Sequence, residues 1–220
     1  AAISETEIDY ILGSVNAYFA EKTTREDVVW TFSGVRPLFD DMAAKTASAV
    51  TRDYAFDVDR GADDRAAPLL SIYGGKLTTY RKLAEHAMEK LAATFPSAGP
   101  AWTREASLPG GESGYARWPE TVAALQARYG FLDAAVFDRM VGAYGEALVD
   151  VLGDAQSCEA LGRDFGGGLY AREVDYLCAH EFARTADDIL WRRTKLGLSF
   201  SDDERRSLTD YLAERRRDAA

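Results

Sequence analysis

The change of pattern at Phe95-Pro96-Ser97-Ala98-Gly99-Pro100 constrains this chain more than any other feature. Proline and glycine cannot continue a helix, so the segment marks a boundary. Before it, short β-branched and aromatic runs alternate with helical ones. After it, every periodic run has helical spacing. The expected class is α+β: residues 1–95 form a mixed α/β part, 96–101 a linker, and 102–220 an all-helical domain of five or six helices. Three expected strands in the first part are too few for a sheet with both faces covered. Such a part exposes edges and apolar faces and is expected to be the less stable half.

The first part opens with a helix over residues 4–19. Ser4 and Glu7 form a capping box, and Ile8, Ile11, Leu12, Val15 and Phe19 share one face. Val28-Val29-Trp30-Thr31-Phe32 reads as a strand that ends at Gly34-Val35-Arg36-Pro37. Asp40 to Ser48 reads as loop. Arg52 to Val58 alternates, with Tyr54, Phe56 and Val58 on one side, and Leu69 to Tyr73 is a third strand. A long helix is expected from Lys76 to Thr94.

In the second part, Pro119 suits a first helical turn. Asp133 suits an N-cap ahead of Val136, Phe137, Met140 and Val141. Glu146 to Leu152 is a short helix, and Tyr170 to Phe182 places Val174, Leu177, Cys178 and Phe182 together. Thr185 with Asp188, and Ser201 with Glu204, form further caps. Arg215 to Arg217 close the last helix at its negative end.

Charge excludes some functions. With 26 basic against 36 acidic residues the net charge is −10, the wrong balance for a nucleic-acid-binding surface. Cys158 and Cys178 form no CxxC pair, and a reduced, cytoplasmic setting fits them. No apolar run is long enough to span a bilayer, which leaves peripheral membrane contact open. His86 and His180 with two scattered cysteines make no metal site.

The stretch Ser71-Ile72-Tyr73-Gly74-Gly75-Lys76-Leu77-Thr78-Thr79-Tyr80-Arg81-Lys82 puts a glycine turn between a strand and a helix start. Glycines let a ligand approach the main chain, and the first helical N–H groups favour anions. Spacing alone gives a small anionic or polarised group at a helix end, or equally a turn needed for tight strand–helix packing. Together with Ser33-Gly34-Val35-Arg36-Pro37-Leu38, Thr51-Arg52-Asp53-Tyr54 and Thr185-Ala186-Asp187-Asp188-Ile189-Leu190-Trp191-Arg192-Arg193-Thr194, this stretch closely resembles the C-terminal part of FAD-dependent glycerol-3-phosphate dehydrogenases. The dinucleotide fingerprint which that family needs for the FAD pyrophosphate is not in this sequence.

The resemblance implies a fragment of a flavoprotein: the end of the FAD/substrate domain over residues 1–95, followed by a helical C-terminal domain. It makes Arg36 the substrate-phosphate ligand, where the sequence alone favours an exposed arginine in a turn. It sets Gly74, Gly75, Lys76, Leu77 and Thr78 against the flavin, with Lys76 also reaching substrate. Arg52 and Asp53 fall near the active centre, although a surface pair is the plainer reading. Asp187, Asp188, Arg192 and Arg193 read as a structural cluster, with Arg192 at i+4 from Asp188.

The implied activity is oxidation of sn-glycerol 3-phosphate to dihydroxyacetone phosphate, with hydride transfer to FAD and electrons passed to a quinone. Association with a membrane surface and a homodimer accompany that reading. No catalytic residue is assigned in this chain, which by itself is expected to lack turnover. Two alternatives remain: a helical assembly module of such an enzyme, or an oxidase of the same fold that uses oxygen.

Overall fold

In a computed structural model, residues 1–35, 53–61 and 67–218 are described. The chain divides into two compact units, Ala1–Ala106 and Ser107–Ala220. The α+β expectation holds: seven α-helices and one two-stranded sheet are found among the described residues.

The first unit begins with α1 (Glu5–Asn16). Its capping box forms as expected: Ser4 N donates to Glu7 Oε2 at 2.8 Å and Glu7 N donates to Ser4 Oγ at 3.3 Å. The connector that follows is tied back by Asn16, whose amide exchanges two 2.8 Å hydrogen bonds with Thr23. Arg25 pairs with Glu5 and with Asp9.

Val28 to Phe32 is not a strand. The described strands β1 (Ala55–Asp59) and β2 (Leu69–Tyr73) pair only with each other, antiparallel, from Ala55 opposite Tyr73 to Asp59 opposite Leu69. A β-branched run becomes a strand when a ladder receives it, and none does among the described residues. Its rings still keep the i, i+2 relation of extended backbone, with Trp30 and Phe32 stacked at 5.2 Å.

The expected helix from Lys76 is shorter than its pattern. A 3-10 turn occupies Leu77–Thr79, and α2 runs from Tyr80 to Lys90. His86 on α2 packs edge-on against Phe56 at 5.0 Å and Tyr54 at 5.9 Å. Beyond the helix, Thr103 Oγ1 donates to Glu85 Oε1 at 2.6 Å, which ties residues past the 96–101 segment to α2. No hydrophobic side chain of this unit is buried among the described residues.

The second unit holds the core. Its helices are α3 (Trp118–Tyr129), α4 (Ala134–Tyr144), α5 (Leu148–Leu152), α6 (Ala171–His180) and α7 (Asp202–Asp218), with a π-helix over Asp188–Arg193. Pro119 lies in the first turn of α3, and Asp133 caps α4 by accepting from Ala135 N at 2.9 Å.

Gly145 (φ 56°) ends α4 against Gly110, so closely that a Cβ on Gly145 would lie 2.0 Å from the Gly110 carbonyl oxygen. The last carbonyls around α5 are satisfied by side chains. Arg172 donates to Leu152 O at 2.7 Å, and Tyr129 and Arg128 donate to Gly153 O at 2.8 and 3.0 Å. Two buried clusters fill the unit, one around Tyr129, Phe137, Met140 and Leu148, the other around Val174, Leu177, Ile189 and Leu208. Tyr144 packs against both.

Candidate functional site

The glycine corner is built by the end of β2. After Tyr73 the chain passes through Gly74 (φ 69°) and Gly75 (φ 103°), a backbone region that side chains rarely adopt. A Cβ on Gly75 would lie 3.3 Å from Leu83 Cδ1 and 3.5 Å from Tyr54 Cβ, so the corner rests on α2 and on the approach to β1. Lys76 is extended. The 3-10 turn then opens with Thr79 N donating to Lys76 O at 2.9 Å, which leaves the N–H groups of Leu77 and Thr78 ahead of its first bond. Thr79 Oγ1 also donates to Lys76 O at 2.9 Å and steadies the turn. The Leu77 side chain is 89% exposed.

Lys76 Nζ lies 3.6 Å from Asp53 Oδ1, with both side chains at least half exposed. This pair brings Asp53 to the glycine corner, a proximity that linear spacing does not reveal. An exposed pair of this kind contributes little to stability but keeps the ammonium group beside the turn. Arg36 and Arg52 lie outside the described residues.

The Asp188 cluster forms as read, on an unexpected helix type. Asp188 Oδ2 accepts from Arg184 N at 3.1 Å and Thr185 N at 2.9 Å, and Oδ1 lies 3.3 Å from Arg192 and 4.0 Å from Arg193. These donors, the Arg184 amide first, hold the Asp188 carboxyl below its ordinary range. The helix it caps is wound wider than α, with Thr194 N donating to Ile189 O at 3.0 Å. All of these contacts lie inside the helical unit.

Sequence reasoning missed the most buried polar group. Glu173 on α6 is fully buried. Its two oxygens accept 2.7 Å bonds from Arg139 Nη1 and Nη2, and Oε1 accepts from Tyr144 OH at 2.8 Å. Arg139 Nη2 also donates to Gly168 O at 3.0 Å. Burial, then the Glu173 charge, pushes the Tyr144 hydroxyl far above its ordinary pKa. The signal was present: Glu173 stands four residues before Leu177, on the apolar side of its helix.

The Gly166-Gly167-Gly168 run is a shaped turn beneath this network. All three glycines have positive φ, and a Cβ on Gly168 would lie 2.3 Å from Val136 Cγ2.

Residues 101–215 match the C-terminal domain of alpha-glycerophosphate oxidase, and the chain belongs to that family. The chain is similar to the aerobic glycerol-3-phosphate dehydrogenase of Escherichia coli (strain K12), 45% identical over 212 residues that make up 96% of this chain and 42% of that protein. It is similar to the D-erythritol 1-phosphate dehydrogenase of Brucella abortus (strain 2308), 46% identical over 96% of this chain and 41% of the relative. It is also similar to the glycerol-3-phosphate dehydrogenase of Pseudomonas aeruginosa (PAO1), 47% identical over 96% of this chain and 40% of the relative. The chain thus spans about two fifths of the length of these relatives.

Proposed function

We propose that this chain supplies the C-terminal portion of a flavin-dependent dehydrogenase that oxidises sn-glycerol 3-phosphate to dihydroxyacetone phosphate and passes electrons to a quinone. The carrying observation is the Gly74–Thr78 corner, which combines two left-handed glycines, the leading N–H groups of Leu77 and Thr78, and the Lys76 ammonium group. These fit the polarised edge of a planar heterocycle, because dipole and charge there both favour a group that gains negative charge. Bound FAD would supply the hydride-accepting chemistry.

The chain's own residues bind and orient. Gly74 and Gly75 keep side chains out of the approach, the Leu77 and Thr78 amides donate, and Lys76 adds positive charge that also reaches a substrate oxygen. Arg36 holds the substrate phosphate through its paired donors. The helical unit provides a stable body, and work at a membrane surface and as a homodimer belongs to the same reading. No described helix is long and apolar enough to cross a membrane.

A second substrate deserves a direct comparison, because a D-erythritol 1-phosphate dehydrogenase resembles this chain as closely as the glycerol-3-phosphate enzymes do. The two differ in polyol length, not in the phosphate that Arg36 would hold. The test is dye reduction by the flavin-loaded protein containing this chain, with each phosphate in turn. Glycerol 3-phosphate should give the higher kcat/KM, and Arg36→Met should raise its KM by about a hundredfold through loss of a charge-assisted pair of bonds. Preference for erythritol 1-phosphate would overturn the substrate assignment. Peroxide produced in step with substrate oxidation would favour the oxidase reading over the quinone one.

A further inference from the structure

The helical unit carries a second basic site, away from the residues discussed above. A cleft of ≈ 170 Å³ lies where the end of α6 meets the end of α7. Its apolar wall is Cys178, Ala183 and Leu212, and its rim is Phe182, Arg184, Arg215 and Arg216. Three guanidinium groups gather around this small space in a chain of net charge −10. Like charges repel, so an anion in the cleft would relieve their repulsion.

The carboxylates nearby are largely engaged. Asp175 Oδ1 lies 2.7 Å from Arg215 Nε and accepts from Tyr211 OH at 3.0 Å. Asp188 is occupied by the Arg184 and Thr185 amides and by Arg192. Arg216 Nη1 donates to the neutral carbonyl of Arg184 at 3.0 Å. Among the described residues, neither Arg184 nor Arg216 has a carboxylate within ion-pair distance. Two positive charges therefore stand at the rim with no carboxylate of the described residues paired to them.

The wall and the Phe182 backbone point the same way. Ala183 and Leu212 are each 4% exposed, and burial raises the Cys178 thiol pKa, which keeps it neutral. Phe182 holds φ 56°, uncommon for a bulky residue, yet its ring is 82% exposed at the cleft edge. The strained backbone therefore leaves an aromatic surface open rather than buried.

We propose that this cleft binds a small phosphomonoester with an apolar or aromatic body. The dianionic head sits between the Arg184 and Arg216 guanidinium groups, and the body lies over Leu212, Ala183 and the Phe182 ring. Two guanidinium groups with no carboxylate partner among the described residues match a dianion, whereas a carboxylate or a phosphodiester supplies one charge. Guanidinium forks suit its oxygens.

The probe is phenyl phosphate, titrated into the full chain by calorimetry while iodoacetamide labelling of Cys178 is followed by mass spectrometry. Cys158 is the internal reference. Saturable binding should slow Cys178 labelling about fivefold or more and leave Cys158 unchanged, with benzoate about tenfold weaker because it carries half the charge. Arg184→Gln and Arg216→Gln should each weaken binding by about tenfold through loss of a charge-assisted bond, with the thermal midpoint held. Equal binding by Arg184→Gln, benzoate as strong as phenyl phosphate, or no protection of Cys178 would overturn the assignment. So would Arg184-dependent capture by phosphatidic acid vesicles without phenyl phosphate binding.

Discussion

Replacing Glu173 with leucine removes the acceptor on which α4 and α6 converge. Glu173 is fully buried, Arg139 is 19% exposed, and the two 2.7 Å bonds between them are shielded from screening by solvent. The substitution leaves the Arg139 guanidinium buried with only the Gly168 carbonyl as partner. Removing one member of a buried ion pair costs about 3–5 kcal/mol, whereas exchanging both for apolar residues of similar volume is often near neutral. Glu173→Leu should therefore lose about 4 kcal/mol, and the double variant Arg139→Met/Glu173→Leu only about 2 kcal/mol. That remainder is the Tyr144 hydroxyl without its acceptor, worth about 1–3 kcal/mol, and adding Tyr144→Phe should recover part of it. Urea unfolding followed by circular dichroism reads these differences from midpoints at constant slope. Additive single substitutions, or a loss below about 1 kcal/mol for Glu173→Leu, would refute the reasoning, because the pair would then be acting as two independent surface charges.

Three further outcomes follow from the same structure. Gly168→Ala meets both a φ of +71° and Val136 Cγ2 at 2.3 Å, so it should cost about 2 kcal/mol or more in the same assay, and a neutral result would show a loop free to move. Burial, then the hydrogen bond and charge of Asp175, push Tyr211 up to about 12. A raised pKa stabilises the fold below the unfolded value and loses that contribution as pH rises from about 10 toward 12, so Tyr211→Phe should flatten the alkaline fall in stability by up to one proton. An unchanged slope between pH 9 and 11 would count against this. Native-state hydrogen exchange should protect amides in α3, α4, α6 and α7 roughly a hundredfold or more over those in β1, β2 and α1, and equal protection would contradict the difference in burial.

Helix starts were the most legible feature of the sequence, because caps act within four residues. Ser4 with Glu7, Asp133, Thr185 with Asp188, and Ser201 with Glu204 all form the bonds their spacing predicts. The strands β1 and β2 were legible as strands, since alternation in Tyr54, Phe56 and Val58 reports a half-covered face, whereas their pairing with each other was not. Val28 to Phe32 misled because strand propensity needs a partner that sequence alone does not supply. The π-winding at Asp188–Arg193 was hidden because its cap and apolar residues are those of an α-helix, and only the wider Thr194–Ile189 bond distinguishes it. Arg139 and Glu173 stand far apart in sequence, and nothing local shows that one will bury the other. At the corner, the glycine turn between strand and helix was legible, whereas its left-handed backbone and the approach of Asp53 to Lys76 come from the fold.

Burial is divided unequally between the two units, and this bears on chemistry. The corner residues sit in the unit without a buried hydrophobic side chain among its described residues, where Ile11, Phe19, Val29, Phe32, Leu69 and Ile72 are all exposed. A two-stranded sheet with one packed helix is marginal alone. A catalytic constellation has to be held to within about 0.5 Å by a rigid surround. Gly75 has Leu83 and Tyr54 behind it, but the Lys76 ammonium group is held, among the described residues, by an exposed ion pair worth about 1 kcal/mol at most. The donors at Leu77 and Thr78 become precise only when further protein surface covers the apolar side chains beside them. Relatives that match this chain over about two fifths of their length have further sequence outside the match. An absence of turnover from this chain alone would then reflect rigidity as much as ligands, because the corner residues stand in the unit without a buried hydrophobic side chain among its described residues.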